Sequence, residues 1–211
     1  MKKEKFYYLL PVFLIPFYYL VDIITKMIVV KHLPYQKYVP VLGNFAGFTY
    51  IFNTGAAFGL FSNLNPLLKN ILFTLVTLSA IAFIAYLMFK TYKDKKIYRH
   101  SCALILAGAF GNLSDRIFGY FLYGDINIIT GENLGRKFQF FFAKVVDFIN
   151  IGYGNPYGYS GGWRWPYFNA ADSFITIGLT ILIITVLFSK EKKKNDVQEI
   201  KIVSDNAEKK E

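Results

Sequence analysis

Two aspartates in this sequence occupy places where an acid is costly. Asp147 lies in "KVVDFIN", where Val145, Asp147 and Ile149 alternate with Val146, Phe148 and Asn150. On a strand, that period of two turns Asp147 the same way as two aliphatic side chains. Asp172 lies in "FNAADSFITIGLTILIITVLFSK", at the entrance of an uncharged run long enough to cross a bilayer. If Asn169 caps that helix, Asp172 sits at its third position, where a carboxylate meets the positive end of the helix dipole. Asp172 therefore also reads as a helix starter and nothing more. If the two carboxylates converge, like charges cannot both ionise easily and one keeps a proton. Such a pair can deprotonate a water with one member while the other protonates or polarises a carbonyl. Periodicity alone does not bring them together.

Other polar residues interrupt apolar segments. An ionisable group at membrane depth costs about 2.5–3.5 kcal/mol on insertion scales, which makes each one a functional suspect. Asp22 and Lys26 in "DIITK" are four apart, so they share a helix face and read as a structural ion pair near the outer end of the first apolar run. In "GAFGNLSDR", Gly108, Asn112 and Asp115 or Arg116 recur at three- and four-residue spacing. That face serves either as polar glue between helices or as part of a site, with Gly108 and Gly111 allowing close helix approach. Arg116, at the outward end of this helix, also fits a side chain that snorkels to the headgroups. Asn53 opens "NTGAAFG".

The elements that must position these groups follow from composition. The chain has 211 residues, enough for one domain, and is 54% hydrophobic, 19% aromatic and only 18% charged. Four apolar stretches read as membrane-spanning helices: about 6–30, 66–89, 101–123 and 172–188. The first is too long, and lacks a small-x-small cleavage site, to be a removable signal peptide. The net charge of +10 is concentrated in the tails and in the stretch Lys90 to Arg99. Those basic groups bracket apolar runs instead of lining one face, which favours membrane lipid as a partner and argues against nucleic acid. By the positive-inside rule the tails and the 90–99 segment face the cytoplasm, and loops 31–65 and 124–171 face outward. Short strands and turns are expected in 39–61, and a strand at "KVVDFI". The Tyr- and Trp-rich stretch after it is expected at the outer membrane surface. Residues 1–190 form the working domain, and 191–211 read as a charged, disordered cytoplasmic tail. The single Cys102 excludes an intrachain disulfide and reads as a small packed residue. The expected fold is mainly α: a four-transmembrane-helix bundle with small β-rich and amphipathic extracytoplasmic loops.

The ordered set DIITK (22–26), NTGAAFG (53–59), GNLSDR (111–116), VVDFI (145–149) and FNAADS (168–173) resembles the lipoprotein signal peptidases, or signal peptidase II, of bacterial inner membranes. The resemblance spans roughly residues 15–188. It implies an intramembrane-type aspartic peptidase that cleaves the signal peptide from prolipoproteins just before a diacylglyceryl-modified cysteine. By the motif match, Asp147 and Asp172 correspond to the catalytic pair. Asn53, Gly55, Gly108, Asn112, Arg116 and Asn169 correspond to supporting or substrate-binding residues, and Asp22, Lys26 and Asp115 to structural polar residues. The resemblance implies no metal and no cofactor; a monomer is expected, and the charge-derived topology puts both termini in the cytoplasm and the acid pair near the outer leaflet. Segments 121–143 and 150–166 extend beyond the family pattern, and the Phe-rich 138–142 is expected on the membrane surface beside the lipid-bearing substrate. The rival classes are a small ion- or proton-coupled transporter, for which no repeat of the two halves is visible, and a non-enzymatic assembly protein.

Overall fold

The computed structural model describes residues 2–53, 64–90, 96–125, 143–157 and 161–188. Gly55, the Phe-rich 138–142 and the tail from 191 lie outside the described residues. The chain runs α1 (Lys2–His32), β1 (Tyr38–Leu42), β2 (Ala46–Asn53), α2 (Pro66–Lys90), α3 (Lys96–Tyr123), β3 (Val145–Tyr153), β4 (Trp163–Arg164) and α4 (Ala170–Phe188). The fold is mainly helical with one small antiparallel sheet.

Local sequence explains where the helices begin and end. Asn65 Oδ1 accepts the Leu67 amide at 2.8 Å, a side-chain cap ahead of Pro66, whose missing N–H costs nothing at the first helical position. At the other end of α2, Arg99 donates from Nη1 to the Met88 carbonyl, satisfying one of the oxygens a helix terminus leaves open. Helix α4 starts with a reciprocal cap. The Asp172 amide donates to Asn169 Oδ1 at 2.9 Å, and the Asn169 amide donates to Asp172 Oδ2 at 3.2 Å. The helix-starter role expected for Asp172 is present, and it uses only one carboxylate oxygen.

Among the described residues α1, α2 and α4 are long and apolar enough to cross a membrane, and most of their apolar side chains point away from the protein. Helix α3 has the length but is broken in polarity by Asn112, Asp115 and Arg116. It is also the most buried helix, packed against α1, α2 and α4. Glycines set how closely α3 and α4 approach. A Cβ on Gly108 would strike the Ala171 carbonyl and Ile175, and one on Gly178 would strike Ile105 and the Ser101 carbonyl.

The sheet has the order β1-β2-β3-β4, each neighbour antiparallel. In the central pair Asn53 faces Val145 and Ile51 faces Asp147, which puts Asn53 and Asp147 on one face as diagonal neighbours. Two apolar clusters fix the parts. One joins Ile84 and Met88 of α2 to Cys102 and Leu106 of α3 and Leu182 of α4, at the end of the bundle away from the sheet. The other joins Val29 of α1 to Tyr50 of β2 and Val146 and Phe148 of β3, and it is the seam between helices and sheet. Arg164 holds the far side of the sheet, bonding Asn150 Oδ1 at 2.6 Å, the Asn155 carbonyl at 3.1 Å and the Asn44 carbonyl.

Candidate active site

At the seam, a strand, a helix mouth and the polar faces of α1 and α3 deliver their side chains to one place. Asp147 is 1% exposed, the third of four consecutive buried positions that open β3. Its Oδ2 accepts Asn53 Nδ2 at 2.7 Å and its Oδ1 accepts Asn169 Nδ2 at 2.8 Å. Asn169 also donates to the Val146 carbonyl at 3.1 Å, which ties the start of α4 to β3. Asp172 closes its cap on Asn169 and accepts Asn112 Nδ2 on Oδ1 at 2.8 Å. Asn169 is thus bonded to both aspartates at once. Asn112 completes the ring, accepting Asn169 Nδ2 and Lys26 Nζ, each at 3.2 Å, on its Oδ1.

Beneath this ring lies a buried ion triad. Lys26 Nζ pairs with Asp22 Oδ2 at 2.8 Å and with Asp115 Oδ2 at 2.9 Å, and all three side chains are fully buried. Each acid then holds the backbone just before one member of the carboxylate pair. Asp22 Oδ1 accepts the Ala171 amide at 2.8 Å, and Asp115 Oδ2 accepts the Val146 amide at 3.1 Å. Tyr123 Oη donates to Asp115 Oδ1 at 2.5 Å. One lysine therefore neutralises two carboxylates that fix the positions of Asp172 and Asp147 through their neighbours.

Burial, and then the negative charge of Asp172, push the Asp147 carboxyl up to about 8, while the donors Asn53 and Asn169 and the charge of Lys26 pull it back. Such a carboxyl keeps its proton at neutral pH. Arg116 lies within electrostatic reach of both aspartates but forms no ion pair with either among the described residues. Its guanidinium stacks over the Phe73 ring at 5.2 Å, and Nη1 is buried with no hydrogen-bond partner among the described residues. Arg116 does not snorkel outward as its position near a helix end led one to expect; the Phe73 ring and the nearby acids hold it inside.

Of the residues singled out from sequence, Asp147, Asp172, Asn53, Asn112 and Asn169 meet in one hydrogen-bonded ring, with Asp22, Lys26 and Asp115 directly below it and Gly108 at the α3–α4 contact. Gly55 is outside the described residues. Sequence reading missed Tyr123 and Asn70. Asn70 is a lone amide in an apolar span, the same signal that drew attention to Asn112; Tyr123 carries no signal of its own. Among the described residues no cluster of His, Cys, Asp or Glu fits a metal ion. A half-open cavity of about 520 Å³ lies elsewhere, between Ile24, Ile28 and Lys31 of α1 and Leu122 of α3, and it offers no acid to a substrate.

The three long apolar helices and the acids gathered beside them define an integral membrane protein with a carboxylate pair at the end of its bundle. The model of the signal peptidase II family matches residues 14–188. The lipoprotein signal peptidase of Syntrophus aciditrophicus (strain SB) is 33% identical over 176 residues, covering 83% of this chain and 90% of that protein. That of Francisella tularensis subsp. novicida (strain U112) is 35% identical over 172 residues, covering 81% and 87%. A solved structure described as a bacterial membrane enzyme, obtained by the in meso method at 2.3 Å resolution, superposes with a TM-score of 0.63 at 26% identity, over 87% of this chain and 90% of its own. The chain belongs to the signal peptidase II family.

Proposed function

We propose that this chain removes the signal peptide from diacylglyceryl-modified prolipoproteins, with Asp147 and Asp172 as the catalytic pair. Family membership carries the reaction, and the transporter alternative has no support from any relative. The observation that carries the residue assignment is the double attachment of Asn169, which bonds both carboxylates and fixes them relative to each other.

The two acids divide the work by environment. Asp147, deeply buried and facing a second acid, holds the proton. Asp172, at the positive end of α4 and hydrogen-bonded by Asn112, is the base. Asp172 takes a proton from water as the oxygen attacks the scissile carbonyl carbon, and Asp147 gives its proton to the carbonyl oxygen. In the tetrahedral intermediate that results, Asp147 recovers its proton as the carbonyl re-forms. Asp172 passes its proton to the nitrogen of the lipidated cysteine, and the C–N bond breaks. Both acids return to their starting states. Nη1 of Arg116, without a hydrogen-bond partner among the described residues, is left for a substrate oxygen.

The topology follows the charge pattern. Helix α3, 28 residues and roughly 42 Å long, serves as the fourth crossing with its polar residues turned inward. Both termini then lie in the cytoplasm, and the sheet and the acid pair lie at the outer leaflet of the bacterial inner membrane, where a lipid-anchored substrate presents its cleavage site. The hydrogen bonds that join Asp147, Asp172 and Asn169 are all made within one chain, which supports a monomer. Residues 1–190 form the peptidase domain and 191–211 an accessory tail.

The test is cleavage of a diacylglyceryl-modified prolipoprotein by purified protein in detergent. Asp147→Asn and Asp172→Asn each lose at least about a thousandfold in kcat, the scale of removing a catalytic acid or base, while circular dichroism and membrane insertion stay as in wild type. Full activity in either variant removes the dyad.

A further inference from the structure

Helix α2 grips Arg116 at two points on one face. Asn70, 2% exposed, donates from Nδ2 to the Ala143 carbonyl at 2.9 Å and to the Arg116 carbonyl at 3.4 Å. The same Arg116 carbonyl accepts the Ala143 amide at 2.8 Å. This joins the last turns of α3 to the chain entering β3, four residues before Asp147. One helical turn along from Asn70, Phe73 lies under the Arg116 guanidinium at 5.2 Å. Arg116 is therefore held by its backbone through Asn70 and by its cation through Phe73.

The position this enforces is unusual for an arginine. A guanidinium near two carboxylates in a poorly solvated site would ordinarily close on one of them as a bidentate pair. Here it acts on both Asp147 and Asp172 at a distance, pairs with neither among the described residues, and keeps Nη1 unsatisfied. A buried unsatisfied donor is costly and persists only where the surroundings dictate it. The Phe73 face offers the cation a compensating attraction that uses none of its N–H groups.

We propose that Asn70 and Phe73 are positioning residues: they hold the Arg116 guanidinium off the catalytic carboxylates and aim it at the substrate. The ring face competes with the aspartates for the cation, and the Asn70 amide fixes the backbone from which the side chain projects. Without them Arg116 collapses onto the acid pair, stabilises its doubly ionised form, and is lost to the substrate. This inference rests on the peptidase reading of Asp147, Asp172 and Arg116.

Three substitutions in the prolipoprotein cleavage assay test it. Phe73→Leu keeps an apolar side chain but removes the ring, and lowers kcat about tenfold, the scale of a desolvated cation–π contact. Phe73→Trp keeps a ring and restores at least half of the activity. Asn70→Asp keeps shape but loses the donor, and is as impaired as Asn70→Ala. In Phe73→Leu the alkaline limb of the kcat profile also moves to lower pH, because a cation drawn onto Asp147 favours its charged form. Besides Arg116, the charged groups that act on Asp147 among the described residues are Asp172 on α4 and Lys26 on α1, and neither is altered by the substitution. The deciding measurement is the same change in an Arg116→Gln background, where Phe73→Leu costs nothing further. Tenfold losses that persist there, or a Phe73→Leu enzyme equal to wild type, overturn the positioning role while leaving the dyad intact. A fully active Arg116→Gln enzyme overturns it too, by removing what is positioned. Activity in Asp147→Asn is the separate result that sinks the peptidase dyad itself.

Discussion

Asp147 is the residue whose environment makes the sharpest demand on chemistry. Burial and the neighbouring acid raise its carboxyl to about 8, against the ordinary 3.8. The sign of the consequence is fixed: a raised carboxyl keeps its proton through neutrality and loses it as pH climbs through the raised value. With Asp147 as the acid of the pair, kcat stays high near pH 7 and falls as pH passes about 8. Asn53 tunes this value, since its amide donates to Asp147 Oδ2 at 2.7 Å and thereby favours the ionised form. Asn53→Ala removes that bias, so the alkaline limb moves to higher pH. The same change frees one side of the carboxylate and lowers kcat by about tenfold, the order of one charge-assisted hydrogen bond. Cleavage rates measured from pH 5 to 10 on wild type and variant decide the matter, and a limb that moves to lower pH contradicts the assignment.

At the scale of elements, the triad of Asp22, Lys26 and Asp115 joins α1 and α3 and pins the amides that precede both acids of the pair. Lys26→Met leaves two buried carboxylates without their cation, a loss on the order of 3–5 kcal/mol. The expected result is a sharply lower melting temperature in detergent, with activity lost in parallel. Gly108→Ala acts differently. Its Cβ meets the backbone oxygen of Ala171, which cannot turn aside as a side chain would. The contact pushes α4 away from α3 beside Asp172, costing about 1–3 kcal/mol of stability and more in kcat than a surface Ala substitution. A melting curve and a rate at 25 °C together check it. These elements differ in how far the sequence disclosed them. The long apolar runs located α1, α2 and α4, and spacing paired Asp22 with Lys26. Alternation gave β3, but the two-residue β4 was too short to carry a pattern. The third member of the triad was not legible. Asp115 and Arg116 are neighbours in the chain, yet about 100° apart around a helix, and no periodicity says which turns to Lys26 and which to Phe73. The meeting of Asp147 with Asp172 belongs to the same class: it depends on which strand docks on which helix mouth, and only the family motifs pointed to it in advance.

At the scale of the whole molecule, the remaining question is which way it sits in the membrane. The structure puts the sheet and the acid pair at one end of the bundle, and the last turn of α2 with the first turn of α3 at the other, because Asn70 and Ala143 meet at the start of α2 while Met88 and Arg99 meet at its end. Basic residues crowd that second end, including Lys90, Lys96 and Arg99. The sheet end instead exposes Phe45, Tyr153, Trp163 and Trp165, side chains suited to the headgroup layer. The charge rule supports the proposed outward placement of the sheet, and that placement can be tested with the protein's own cysteine as a silent background. Cys102 is fully buried and has no access to a water-borne reagent. Asn44→Cys, in the exposed turn between β1 and β2, is labelled by a membrane-impermeant maleimide in right-side-out vesicles. Lys96→Cys, at the exposed start of α3, is labelled only after the vesicles are opened. The reverse pattern would place the acid pair on the cytoplasmic side, where a substrate already exported and held by its lipid in the outer leaflet never brings its cleavage site.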